Sequence, residues 1–448
     1  MNGNMTQGRP VTLILKFALP LLLGNLLQQT YNIIDAAIVG RFLGSKALAG
    51  VGASSSVQFL VLGFCIGICS GFCVPVAKYF GARDHRKMRD CIFHGIVLAA
   101  LIGTVLTTAC ACFCPQILHL LSTPEDIYGN AYQYLLIIFL GIPFSFLYNL
   151  TSGILRSVGD SRTPFLFLAI STILNIFLDL FCILVLNWGC AGAAIATITA
   201  QAMSGCFCLI YIIKKMPLLH LAKENLQIHA ATVRELLLMG IPMGLQFSIT
   251  AIGSMVMQSA NNGLGSIYFS GFTAGMKIKQ FMMCPFDAFA TAVSVFCSQN
   301  LGAGKIERIR KGLAEGLALA VFYGFCGGLV MIFFGRSLSL LFVSQGNTAV
   351  LNASAQYLRC MGYFFWSLGF LNVCRMCTQG LGYSGRVVFS GVTEMFARCI
   401  VSLFFVDKFG YSAICYADQT AWISATLYIV PTCLYCVHKV SEMYHNRT

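Results

Sequence analysis

The 448-residue chain predicts an all-α integral membrane protein, with twelve transmembrane helices in two six-helix bundles related by a parallel internal repeat. Three observations predict it. Hydrophobic residues make up 57% of the chain and charged residues only 10%, whereas a water-facing domain carries about 25% charged residues. The apolar stretches run on for about 20 residues, enough for a helix to cross a ~30 Å hydrocarbon core. A transmembrane β-barrel would show ~10-residue alternating segments instead. Finally, the two halves of the chain match each other at a nearly constant offset.

Taken in order, the spans fall near 13–36, 50–74, 91–114, 129–152, 164–186 and 190–213, then 236–260, 268–297, 313–335, 351–376, 387–406 and 411–437. Span 1 follows Arg9 and lacks an Ala-x-Ala-like cleavage site, so it is expected to stay in the mature protein. Span 2 carries Cys65, Cys69 and Cys73 at helical spacing. Most of the 21 cysteines lie in apolar runs, where a reduced thiol packs as a small hydrophobe. The Cys374–Cys377 CxxC pair on span 10 is read the same way.

The gaps fix the sidedness. Numbered alternately, one side holds 21 Lys and Arg residues and the other holds 4, with four more inside spans. The positive-inside rule then places both termini in the cytoplasm of a multi-pass protein of the cell membrane. The net charge of +13 is thereby a topological signal, and nucleic acid is not an expected partner.

Leu43–Arg83 aligns with Leu264–Gly304 at an offset of 221, with eight identities in 41 positions. Pro20 matches Pro242, and Val158-Gly159-Asp160-Ser161 falls opposite Leu381-Gly382-Tyr383-Ser384. Six spans per half make the repeat parallel, a plan used by secondary transporters that bind small solutes between two rocking bundles. The expected lobes are 1–213 and 236–448, joined by a polar linker at 214–235. Small organic substrates and membrane lipids are the expected partners, and the chain is expected to be a monomer.

Besides Glu315 in the first turn of span 9, five carboxylates fall inside spans: Asp35, Asp179, Asp287, Glu394 and Asp418. Each costs ~2.5–3.5 kcal/mol at a helix centre on insertion scales and so requires a reason to be there. Ser171, Asn175 and Asp179, spaced i, i+4, i+8, line one helical stripe with oxygen-bearing side chains of the kind Na⁺ takes as ligands. Asn175 and Asp179 serve either as a coupling-ion or proton site or as a polar pair holding helices together. Glu394 and Arg398, one turn apart, read as a structural ion pair. Asp287 follows Pro285 and either contacts substrate in the cavity, together with Lys277, or pairs with Lys277 or Lys279. Asp418 is read as structural, near a span end or locally paired. No HExxH, complete Walker A or Ser-His-Asp arrangement is present, so neither an enzyme nor a cofactor is expected.

Several stretches together resemble the multidrug and toxic compound extrusion (MATE) family. They are Leu19-Pro20, Asp35-Ala36-Ala37-Ile38-Val39-Gly40-Arg41-Phe42-Leu43-Gly44, Gly81-Ala82-Arg83, Leu155 to Pro164, Gly240-Ile241-Pro242 and Ser298 to Gly304. The resemblance implies Na⁺- or H⁺-driven export of organic, often cationic and amphipathic, compounds. It also implies an N-lobe cation or proton site on Asp35, Asn175, Asp179 and Thr197, with Na⁺ at the first three where sodium is the coupling ion. Span 7 here carries no carboxylate, unlike members with a C-lobe cation site, and in that respect the chain is similar to the DinF-like branch. Two alternatives share the architecture. A lipid-linked oligosaccharide flippase would use Lys277, Lys279 and Arg359 on a pyrophosphate, and a passive channel would conduct without an opposing gradient.

Overall fold

Hydrocarbon offers a backbone N–H or C=O no partner outside its own segment, so continuous apolar runs close their hydrogen bonds as helices. The computed structural model describes residues 4–121 and 123–445. Its first half contains α1 (Pro10–Leu43), α2 (Ser45–Gly81), α3 (His85–Cys112), α4 (Cys114–Leu120), α5 (Glu125–Leu140), α6 (Ile142–Ser157), α7 (Arg162–Leu180) and α8 (Gly189–Lys215). The second contains α9 (Ala230–Asn262), α10 (Ser266–Gly302), α11 (Ile306–Ser339), α12 (Thr348–Phe364), α13 (Ser367–Gly380), α14 (Ser384–Ile400), α15 (Val406–Phe409) and α16 (Tyr411–His445). No strand occurs among the described residues.

Among the described residues ten continuous helical stretches are long and apolar enough to cross a membrane, α7 counted with the π turn that follows it and α14 with its π turn and α15, and α5 with α6, bent by 46° at their junction, makes an eleventh. The expected span 351–376 is the pair α12 and α13. Asn352, Gln356, Arg359, Asn372, Arg375 and Gln379 dilute its apolar character. Large apolar side chains stand outward along the spans: Leu101 and Val105 on α3 are 60% and 62% exposed, and Phe322 and Phe333 on α11 are 70% and 75%. Such a surface suits lipid rather than water.

The repeat is visible in the backbone. The α5–α6 break recurs between α12 and α13, and α7 and α14 each run into a π-helical turn, Phe181–Val185 and Val401–Phe405. Gly44 and Gly265 open α2 and α10 at φ 88° and 103°, a conformation glycine adopts without steric cost. The packing follows the same scheme. α2 packs on α3, α5 and α6 as α10 packs on α11, α12 and α13, while α8 and α16 fill corresponding places.

The chain forms two compact units, one of residues 1–4 and 23–244 and the other of residues 5–22 and 245–448. The opening half of α1 thus belongs with the second repeat, and Ile14, Phe17 and Ala18 join that unit's core. The opening half of α9 belongs with the first repeat, and Leu236 joins its core. Each switch falls just past an interior proline, Pro20 or Pro242.

Polar side chains hold the segment leading into each helix. Met5 N donates to Gln299 Oε1 at 2.9 Å, and the Met5 carbonyl accepts from Asn300 and Arg308 at 3.2 and 3.1 Å. Lys305 and Arg308 bond the Thr6 and Gly8 carbonyls at 2.8 and 2.9 Å. On the other unit, Arg89 donates to the Leu218 carbonyl at 2.9 Å, and Glu235 accepts from Lys78 and Tyr79 at 3.2 and 3.0 Å.

Two small-xxx-small pairs fit α9 onto α2. A Cβ on Gly71 would lie 2.5 Å from the Gly240 Cα, and one on Gly67 would lie 2.6 Å from the Met243 carbonyl oxygen. Close backbone approach of this kind is what glycine permits at helix contacts in membranes. Gly52, on the same helix, has nothing within 4 Å of such a Cβ. Gly71→Ala is therefore expected to cost about 1–3 kcal/mol by overpacking, while Gly52→Ala is neutral or gains up to ~1 kcal/mol of helix propensity. Thermal unfolding of the purified protein followed by size-exclusion fluorescence checks both, and equal midpoints for the two variants would contradict the contact.

Candidate functional site

α7 is apolar outside and polar inside. Ile170, Ile173 and Phe177 are 52%, 58% and 65% exposed, whereas Ser171, Asn175 and Asp179 are buried at 2%, 1% and 0%. Apolar residues toward lipid and polar residues toward the bundle is the pattern expected where the solvent is hydrocarbon. Immediately beyond Leu180 the helix widens into its π turn, where Leu186 N reaches the Phe181 carbonyl at 3.1 Å. Turns of this kind are frequent beside functional sites.

α1 brings Asp35 to this stripe. Its carboxyl group lies next to that of Asp179, close enough to share a hydrogen bond when one of them holds a proton. Tyr31, one turn before Asp35, bonds Thr197 of α8 at 2.9 Å. Thr197 donates its own hydroxyl to the Ala193 carbonyl at 3.0 Å, so the tyrosine is the donor in that pair. Tyr134 of α5 also lies within electrostatic reach of both carboxyls, with Gln58 of α2 as its partner. All four residues assigned from the sequence, Asp35, Asn175, Asp179 and Thr197, therefore come to one place in the first unit.

The hydrogen-bond accounting of this site is open. Asp35 Oδ1, both Asp179 oxygens, both amide atoms of Asn175 and Ser171 Oγ are buried without a protein hydrogen-bond partner. Buried polar atoms are nearly always paired, so six orphans in one place make this the candidate binding site of the first unit. The oxygens suit a hard cation, and the adjacent carboxyls suit a proton held between them.

The second unit treats its charges in the opposite way. Asp418 of α16, 0% exposed, accepts from Lys279 at 2.5 Å, Tyr357 at 2.8 Å and Arg398 at 2.9 Å. Glu394 accepts from Arg375 at 2.6 Å and Arg398 at 3.4 Å, and Arg375 also donates to Ser390 at 3.1 Å. Glu394 and Arg398 do meet along α14, within a network that spans α10, α12, α13, α14 and α16. Asp418, two turns into α16, is its hub. Lys279 is committed to Asp418, and Lys277 lies over the Phe342 ring, 5.6 Å from its centroid. Asp287 pairs with neither. It stands exposed on α10, within reach of the Arg375 charge. At the repeat position of Asp179 this unit has Ser402.

Sequence reasoning passed over Tyr31, Tyr134 and Tyr357. The i−4 spacing of Tyr31 from Asp35 was a usable signal. Tyr134 and Tyr357 reach their carboxylates only through tertiary contact.

Known proteins resemble this chain along its length. The MatE family model matches twice, over residues 20–181 and 242–404. The probable multidrug resistance protein YpnP of Bacillus subtilis (strain 168) is 31% identical over 367 residues, 82% of this chain and 81% of that protein. A FAD transporter of Shewanella oneidensis is 23% identical over 339 residues, 73% of this chain and 74% of that protein. The outward-facing structure of a multidrug resistance MATE family transporter of the MOP superfamily superposes with a TM-score of 0.92 at 19% identity, covering 98% of this chain and 99% of that one.

The contrast between the units has a consequence for stability. Asp418→Asn breaks a buried ion pair and is expected to cost ~3–5 kcal/mol, lowering the unfolding midpoint by roughly 3–5 °C. Asp179→Asn removes no protein donor and relieves repulsion between two carboxyls, so its midpoint should stay or rise. Midpoints for both variants in detergent check this, and a larger drop for Asp179→Asn would reverse the reading.

Proposed function

This chain belongs to the MatE family, whose members are multi-pass membrane transporters and not enzymes, and from that premise we propose that it is a cation-coupled antiporter exporting organic, cationic or amphipathic compounds. The observation that carries the reading is the set of six unpartnered polar atoms around Asp35 and Asp179. Two adjacent carboxylates repel each other in a low-dielectric interior, and either a proton or Na⁺ between them removes that repulsion. Asn175 Oδ1 and Ser171 Oγ offer further oxygen ligands, and the Tyr31–Thr197 hydrogen bond fixes the wall of the site. Both termini face the cytoplasm in this proposal, on the 21-to-4 distribution of basic residues.

The transport cycle is alternating access by two repeat-related lobes. Ion binding in the N lobe drives export only if it changes the affinity for substrate, because a ligand shifts an equilibrium only by its differential affinity for the two states. Asp287, an exposed carboxylate not engaged by Lys277 or Lys279, is the proposed contact for a positively charged substrate, with Lys277 at the cavity margin.

A flippase reading requires free cationic groups for a pyrophosphate. Of Lys277, Lys279 and Arg359, the cations named for that reading, Lys279 is neutralised by Asp418, which weakens it. A second reading, export of an anionic dinucleotide, rests on the likeness to the FAD transporter.

The test is efflux from proteoliposomes under a sodium gradient and a pH gradient imposed separately, with a cationic dye and with FAD as substrates. One gradient is expected to accelerate dye export, naming the coupling ion. Asp179→Asn and Asp35→Asn should each remove that acceleration by about tenfold or more, the equivalent of 1.4 kcal/mol of lost coupling. Full gradient-driven export by Asp179→Asn would falsify the site assignment, and gradient-driven FAD export without dye export would favour the second reading.

A further inference from the structure

Asp90, His94 and His229 form a cluster outside the proposed ion site. Asp90 and His94 stand one turn apart on α3, and His229 is the last residue of the linker before α9. The three side chains each bring one ligand atom to within 4.8 Å of the others. We propose that this cluster is a binding site for a divalent transition metal of the Zn²⁺ class, which joins the linker to α3.

The geometry supplies one edge of a coordination tetrahedron. Asp90 Oδ1 lies 2.9 Å from His229 Nδ1, and the buried His94 ring turns its Nε2 to the same linker residue, whose backbone N–H it accepts at 2.9 Å. Zinc bonds of ~2.0–2.1 Å to nitrogen and oxygen imply ligand-to-ligand edges of about 3.3 Å. The supporting contacts are in place. Thr232 Oγ1 donates to Asp90 Oδ2 at 2.5 Å and leaves Oδ1 to face the histidines. Partners that fix a ligand in this way weigh heavily in metal affinity. The access route is His229, whose side chain is 48% exposed, while His94 is 1% exposed.

Without metal, protons hold the same three residues together. His94 Nδ1 donates to the Asp90 carbonyl at 2.8 Å, which leaves Nε2 as the acceptor for the His229 backbone N–H at 2.9 Å. His229 Nδ1 donates to Asp90 Oδ1. A metal replaces that Nδ1 proton, which leaves to solvent, and takes the His94 Nε2 lone pair in place of the His229 N–H. The cost is one backbone hydrogen bond at an exposed position, where water can take over as acceptor. The gain is a bridge between two segments that are otherwise joined here by hydrogen bonds alone.

The test uses the full-length protein in detergent with any polyhistidine tag removed. Co²⁺ titration should develop visible d–d bands of a low-symmetry site at one equivalent per chain, and Zn²⁺ should displace them. His229→Ala should abolish the bands, and because that residue is half-exposed the variant should fold. His438→Ala, which removes an exposed histidine paired with Glu442, is the control and should leave them unchanged. Zn²⁺ should also slow amide hydrogen exchange over residues 217–229 in the wild type and not in His229→Ala. These readouts do not involve transport, so they stand or fall apart from the proposed export function. Absence of the bands, their survival in His229→Ala, or binding without added protection of the linker would each overturn the proposal.

Discussion

Hydrocarbon cannot solvate a polar group, and most of what distinguishes the two units follows from how each answers that constraint. In the second unit the buried charges of Lys279, Arg375, Glu394, Arg398 and Asp418 are joined in one network. Asp418 takes three donors, and Glu394 takes two guanidinium groups. In the first unit Asp35, Asp179, Asn175 and Ser171 are buried just as deeply and left unanswered. A satisfied network of charges resists change, because removing any member strands the others. An unsatisfied one leaves a desolvation cost that a bound cation, proton or water would offset. The carboxylates of the two units thus stand in opposite situations.

The asymmetry is a matter of side chains, because the backbones agree. Both repeats break their fourth span at the same place, put a π turn after the fifth, and enter the second on a left-handed glycine. The π turn after Asp179 has its counterpart after Ile400, yet there Ser402 stands where the carboxylate would be. The same frame occurs twice, with adjacent unpartnered carboxyls in one copy and ionic cross-links in the other.

Much of this was legible in the chain, for a definite reason. Spans, repeat and linker appear because apolar length and the placement of basic residues respond to the bilayer residue by residue. Buried carboxylates are conspicuous because each is costly, so Asp35 and the Ser171, Asn175, Asp179 stripe could be picked out by spacing. Partnership across helices is not written in local sequence. Nothing near Asp418 announces Lys279, 139 positions away, and a residue read simply as structural is the hub of a network. The dilute apolar character of α12 and α13 has the same origin, since Arg375 and its neighbours are there for contacts made in space. Likewise Gly67-x-x-x-Gly71 and Gly240-x-x-x-Gly244 look like ordinary helical glycines until the two stretches are seen in contact.

The exchange of helix halves connects these features. α1 begins among the residues of the second unit, held at Met5 by Gln299, Asn300 and Arg308, and ends in the first, where it carries Tyr31 and Asp35. α9 makes the reverse passage, held at its start by the contacts of Glu235 and His229. Any event at Asp35 that displaces α1 therefore acts on a helix whose other end is fixed in the opposite unit. Proline lacks the N–H that would stiffen the helix at that level, and Pro20 and Pro242 sit within a few residues of the passage points. A bend is thus least costly where the chain changes units. Asp35, whose Oδ1 is one of the six polar atoms left open in the first unit, thus stands on a helix that contributes residues to both units.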